Sequence, residues 1–112
     1  MNFTISKFEK RIPFKKQRRI DFSRKYLFKL LKDKGNLICH YCNRQYLKIE
    51  MDSVLHPISE YEKASIDHII PVSKGGDIFN SENMIVSCAL CNSIRGNMDY
   101  GDYINKIYNI ND

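Results

Sequence analysis

The chain lacks any apolar run long enough to serve as a secretory core or to cross a bilayer. That argues against an exported or membrane-inserted protein and leads us to expect a cytoplasmic one with no membrane partner. It also lacks internal repeats and low-complexity tracts, so no repeat array is expected. At 112 residues it has room for one domain and none for a large separate recognition domain. A domain of that size buries a limited share of its surface, so an added staple is physically reasonable. Acidic residues are scarce in the first third. Residues 1–36 hold 12 Lys+Arg against 3 Asp+Glu, a balance of +9, whereas residues 37–112 hold 6 against 10, a balance of −4.

A basic block of this kind suits a polyanion, because each Lys or Arg that meets a phosphate releases condensed counterions. Nucleic acid is the leading partner class, and Lys15, Lys16, Arg18, Arg19, Arg24, Lys25 and Lys74 are the expected contacts. The blander alternative is a solvated helix face.

The four cysteines fall into two Cys-x-x-Cys pairs, Cys39/Cys42 and Cys88/Cys91. In a reducing compartment such pairs with two-residue spacers are more often metal ligands than disulfides. Four thiolates make a tetrahedral zinc site that can pin the ends of a small fold together. The long interval between Cys42 and Cys88 must then hold a structural element of its own.

Residues 7–19 are basic, interrupted by Pro13 and without a clean period, and read as an extended arm. We therefore divide the chain into an arm over 1–20 and a domain over 21–112. From Ser23 to Lys34 a helix is expected, with Phe22, Tyr26, Leu27, Leu30 and Leu31 at helical spacing and Gly35 as its stop. The stretch 43–65 is mixed, with Pro57 against any long helix, and reads as loop with one short element at most. Ser65–Ile70 is β-branched around a polar pair and reads as a strand ended by Pro71, residues 73–77 as a turn-rich loop, and Asn83–Ser87 as a second strand. A helix is expected through Asn92–Arg95, stopped at Gly96 or Asn97, and a last one near 102–108 that buries Tyr103, Ile104 and Ile107.

Asp67 and His68 are the candidate reactive pair. Adjacent side chains on a regular strand face opposite ways, so both can serve one site only if the strand ends or distorts there. Histidine is suited to act as a general base toward water, and aspartate is a hard oxygen ligand for a divalent cation. Asn92 can add a second oxygen from the next helix. A cation held by one carboxylate and one amide keeps most of its coordination sphere open, which suits a substrate phosphate. His40 and His56 have no such context and are read as incidental. Tyr41 and Tyr46 are expected to pack on the first knuckle, and Gly75 and Gly76 to be turn glycines.

The ordered set Cys39-His40-Tyr41-Cys42, Asp67-His68-Ile69-Ile70-Pro71-Val72-Ser73-Lys74-Gly75-Gly76, Asn83 and Cys88-Ala89-Leu90-Cys91-Asn92-Ser93-Ile94-Arg95-Gly96 resembles the zinc-stapled branch of the HNH endonuclease family, over about residues 24–108. The resemblance implies an α+β fold: a small ββα-metal (His-Me finger) domain with a structural four-cysteine zinc and flanking helices. It further implies metal-dependent hydrolysis of DNA phosphodiester bonds by nicking or double-strand cleavage. His68 would be the general base, Asp67 and Asn92 the ligands of one catalytic cation, Asn83 a brace for the hairpin loop, and Arg95 a basic residue near the phosphate. The third named position is Asn92 rather than histidine. Its amide oxygen is a harder ligand, which favours Mg2+ or Mn2+ there while Zn2+ takes the thiolates. The alternatives are a zinc-stabilised nucleic-acid-binding module without catalysis and an interaction protein on the same scaffold. Double-stranded DNA is the expected substrate, and one centre per chain would call for a homodimer or sequential nicks to cut both strands.

Overall fold

The computed structural model describes residues 14–51 and 57–109. Helix α1 spans Phe14–Lys34, strands β1 and β2 span Ala64–His68 and Met84–Cys88, helix α2 spans Ala89–Arg95 and helix α3 spans Tyr100–Tyr108. The architecture is α+β, as expected. Among the described residues no helix is long and apolar enough to cross a membrane.

Helix α1 starts well before the position expected from periodicity, so residues 14–20, read above as extended arm, are helical. Lys, Arg and Gln are good helix formers, and a sequence proline marks a helix start as readily as an interruption. The helix therefore runs through the boundary drawn at residue 20. It ends as anticipated at Gly35, whose φ of 75° suits a residue without Cβ and whose N–H donates to the Leu31 carbonyl at 2.7 Å. Leu27 is its buried anchor, flanked by half-buried Phe22, Tyr26, Leu30 and Leu31.

The strands β1 and β2 pair antiparallel, with Ala64 opposite Cys88, Ile66 opposite Val86 and His68 opposite Met84. In the mixed stretch, Lys48 makes an isolated parallel bridge to Lys63, and Leu47 joins the core. His56 lies outside the described residues. Among the described residues the core is small: Leu27, Leu37, Leu47, Ala64, Ile66 and Met84 with Tyr41, Tyr103 and the buried cysteines. Tyr41 is packed there, edge-on to Tyr103 with ring centroids 4.9 Å apart, whereas Tyr46 is 72 % exposed and does not pack on the knuckle. Helix α3 turns Tyr103 fully inward, with Ile104 and Ile107 half-buried against the same core.

The loop between the strands is built around Gly76. A Cβ on it would lie 1.8 Å from the Ile70 carbonyl oxygen, 2.7 Å from the Ile70 carbonyl carbon and 3.0 Å from Asn83 Nδ2. Gly76 is thus more than a turn residue: it lets the far side of the loop close on the end of β1. Gly76→Ala is expected to lower stability by about 1–3 kcal/mol, since backbone must move to admit the methyl. A thermal melt checks this, and an unchanged Tm would contradict it.

Candidate active site

Strand β1 stops at His68 because Asn83 takes over the next peptides. Ile69 N–H donates to the Asn83 carbonyl at 3.0 Å, and Ile70 N–H to Asn83 Oδ1 at 2.8 Å. The Asn83 amide donates in turn to the carbonyls of Ile70 at 3.1 Å and Asp77 at 3.2 Å. One buried side chain therefore ties both ends of the hairpin loop. Because the ladder ends there, Asp67 and His68 both line one cleft of about 410 Å³, together with Asn92 from α2 and Arg19 from α1.

His68 is 8 % exposed, and its Nε2 lies 3.1 Å from the Ile78 carbonyl oxygen. A carbonyl only accepts, so Nε2 carries the proton and Nδ1 is the basic nitrogen. Asn92 donates both amide hydrogens, to Ser65 Oγ at 3.1 Å and to the Ile66 carbonyl at 3.2 Å. Its Oδ1 is left as the acceptor it can offer to the cleft.

Asp67 Oδ1 accepts from the His68 N–H at 2.9 Å, and Oδ2 accepts from Arg95 Nη1 at 2.8 Å and from the Tyr41 hydroxyl. A carboxylate has about four lone-pair sites. Three acceptor positions are filled, so one direction stays open to a cation. Burial, and then the Asp67 carboxylate, hold the Tyr41 phenol well above its ordinary range, which keeps it a donor.

Arg95 is placed differently from the reading above. Its side chain is wholly buried. Besides Asp67, it donates to the carbonyls of His68 at 2.8 Å, Ile69 at 2.7 Å and Met98 at 2.9 Å, and to the Tyr41 hydroxyl at 3.2 Å. A guanidinium committed to five acceptors of its own chain is a clamp on the end of β1, not a phosphate contact. The reason is helical register: Cys88, Cys91, Asn92 and Arg95 recur at i, i+3, i+4 and i+7, a stripe that faces the sheet. Burial lowers the affinity of Arg95 for its proton, but Asp67 and Tyr41 together outweigh that and the net direction is up. Arg95→Met leaves Asp67 buried without its cation and is expected to cost about 3–5 kcal/mol, read as a fall in Tm. A Tm within a degree of wild type would contradict the clamp.

The thiols gather at the other end of the hairpin. All four Sγ atoms lie within 4.8 Å of one another. A tetrahedral zinc with bonds near 2.3 Å needs sulfurs roughly 3.8 Å apart, and Cys42 and Cys88 stand at 4.0 Å. The Tyr41 and Cys42 N–H groups point at Cys39 Sγ, and the Cys91 N–H at Cys88 Sγ, each at 3.4 Å. Burial pushes the Cys39 thiol up, but the hydrogen bonds it accepts outweigh burial and bring it to about 7. Burial, compounded by the neighbouring sulfurs, raises Cys88 and Cys91. Four thiolates this close repel one another unless a cation sits between them, so the donor set fits a metal such as zinc.

The predicted nucleic-acid contacts divide. Lys16, Arg19 and Arg24 line a groove of about 320 Å³ between α1 and β1. Arg18 sits over the Phe79 ring at 5.9 Å, and Lys74 is exposed on the hairpin loop. Lys25 stands on another face of α1, among Phe22, Tyr26 and Phe28. The side chain of Lys15 lies outside the described residues. His40 bonds the Tyr100 hydroxyl at 2.7 Å, a contact between the first knuckle and α3. Tyr41, Ser65 and the Ile78 carbonyl, which set Asp67, Asn92 and His68, escaped sequence reasoning because none belongs to a recognisable spacing.

A family model described as HNH endonuclease matches residues 39–98, just over half of the chain. The match runs from the first knuckle through the hairpin and α2. No curated protein and no solved structure matches the chain.

Proposed function

This chain belongs to the HNH endonuclease family, and we propose that it is a metal-dependent endonuclease that hydrolyses DNA phosphodiester bonds. The observation that carries this reading is the single cleft lined by Asp67, His68 and Asn92, its mouth shaped by a loop that Asn83 braces.

His68 takes a proton from water on Nδ1, with Nε2–H anchored to Ile78 to hold the ring. The hydroxide forms a bond to phosphorus as the bond to the 3′ oxygen breaks in line, and the leaving oxygen takes a proton from solvent. The products are a 5′-phosphate and a 3′-hydroxyl. Asp67 and Asn92 are the residues that would hold a divalent cation, Mg2+ or Mn2+ by the hardness of their oxygens; when bound, it supplies positive charge opposite the phosphate and the leaving oxygen. Tyr41 and Arg95 hold the Asp67 carboxylate in place. Zinc on Cys39, Cys42, Cys88 and Cys91 is structural in this reading. Cleavage takes place in the cytoplasm on duplex DNA with low sequence preference, because phosphate contacts position without reading bases. Two copies, or two successive nicks, cut both strands.

The test is incubation of supercoiled plasmid with the protein across Mg2+, Mn2+, Ca2+ and Zn2+, with product ends mapped. Nicked or linear DNA bearing 5′-phosphates with Mg2+ or Mn2+ is expected. Salt-sensitive DNA binding with no cleavage under any metal would replace the nuclease reading with that of a binding module.

A further inference from the structure

We infer that Arg19, on helix α1, is the residue that grips the scissile phosphate; the inference rests on the nuclease reading above and extends it to a residue outside the matched stretch 39–98. Beside the cation that Asp67 and Asn92 would hold, a second, fixed positive charge at the cleft can take up the charge that grows on the phosphate oxygens during attack. Arg95 does not supply it, since its side chain is wholly buried and held on interior acceptors. Of the described residues that line the cleft, Arg19 is the one with a permanent positive charge.

Its placement is fixed by packing rather than by chance. Phe22, one turn on, meets Phe79 of the hairpin loop edge-on with centroids 4.8 Å apart. Arg18 lies over that same Phe79 ring. These contacts seat the first half of α1 against the loop that frames His68. Arg19 itself is exposed and has no hydrogen bond or ion pair among the described residues, so its fork of donors is available for bidentate contact with a phosphate. It also lines the neighbouring groove with Lys16, one turn earlier on the same face. The backbone of the cut strand can therefore pass from that groove across Arg19 into the cleft.

The test compares single-turnover cleavage of a short DNA duplex, at saturating protein, by wild type, Arg19→Ala, Arg19→Lys and Lys106→Ala, the last an exposed charge on α3 that lines neither the cleft nor the groove. Duplex affinity is measured separately in a His68→Ala background with and without Arg19→Ala. Arg19→Ala is expected to cleave about 10²-fold more slowly, the usual loss for one transition-state donor, with a smaller change in affinity. Arg19→Lys should recover part of the rate, because it keeps the charge but not the fork. Lys106→Ala should match wild type. A wild-type rate for Arg19→Ala, or a loss confined to affinity, overturns the inference while the nuclease reading stands. Wild-type protein that leaves the duplex uncut removes both.

Discussion

His68→Ala is expected to lower the cleavage rate by about 10²–10⁴-fold, the range a positioned general base contributes, with Tm within a few degrees of wild type. The two halves of that expectation have separate causes. Among the described residues the imidazole makes one hydrogen bond through its ring, to the Ile78 carbonyl, and losing one such bond costs only about 1 kcal/mol. The geometry that holds the end of β1 is supplied by Asn83 and Arg95, neither of which uses the His68 side chain. Equal single-turnover rates for the two proteins would show that His68 does not activate water.

The second large effect concerns the thiols. Replacing buried Cys39 or Cys88 by alanine, or stripping the metal with a strong chelator, is expected to abolish the cooperative thermal transition. A structural zinc site in a small domain is worth about 10–16 kcal/mol. That equals or exceeds the entire stability of most domains, about 5–15 kcal/mol. Among the described residues the core is small and the sheet two-stranded, so little remains to hold the fold once the clasp opens. Because Cys91 and Asn92 are neighbours on α2 and Arg95 follows on the same face, opening the clasp also releases the residues that complete the cleft. Metal analysis beside circular dichroism checks this. A reductant should leave Tm unchanged, and a chelator-treated protein that still melts cooperatively at the wild-type temperature would show that the thiols hold nothing.

The knuckles, the hairpin and the meeting of Asp67, His68 and Asn92 were legible because each depends on local spacing: two thiols on one turn, β-branched runs bounded by proline and glycine, and an amide directly after a ligand. The start of α1 was not. Its first turns carry no apolar period, only residues of good helix propensity, and Pro13 favours a helix start as much as a break. The fate of Arg95 was partly legible. The i, i+3, i+4, i+7 stripe from Cys88 marks it as inward, but only the fold shows the acceptors, since Tyr41 and Asp67 lie far away in sequence and meet it through the core. The same holds for Arg19, which sequence placed among general phosphate contacts and which the fold brings to the cleft itself.

The functional consequence is a division of labour along one short helix. The N-terminal end of α2 belongs to the thiol clasp and its C-terminal end to the clamp on β1, with Asn92 between them. Structural and reactive metals would then occupy donor sets of different hardness, sulfur at one and oxygen at the other, and need not exchange.

The most direct test is the relaxation of supercoiled plasmid by zinc-loaded protein before and after addition of Mg2+ or Mn2+, with wild type and His68→Ala matched in zinc content and Tm. Cleavage by wild type alone, and only after the second metal is added, is the predicted result. Cleavage by both proteins at equal rates, or by neither with any metal, would contradict the assignment of hydrolysis to the Asp67, His68 and Asn92 cleft.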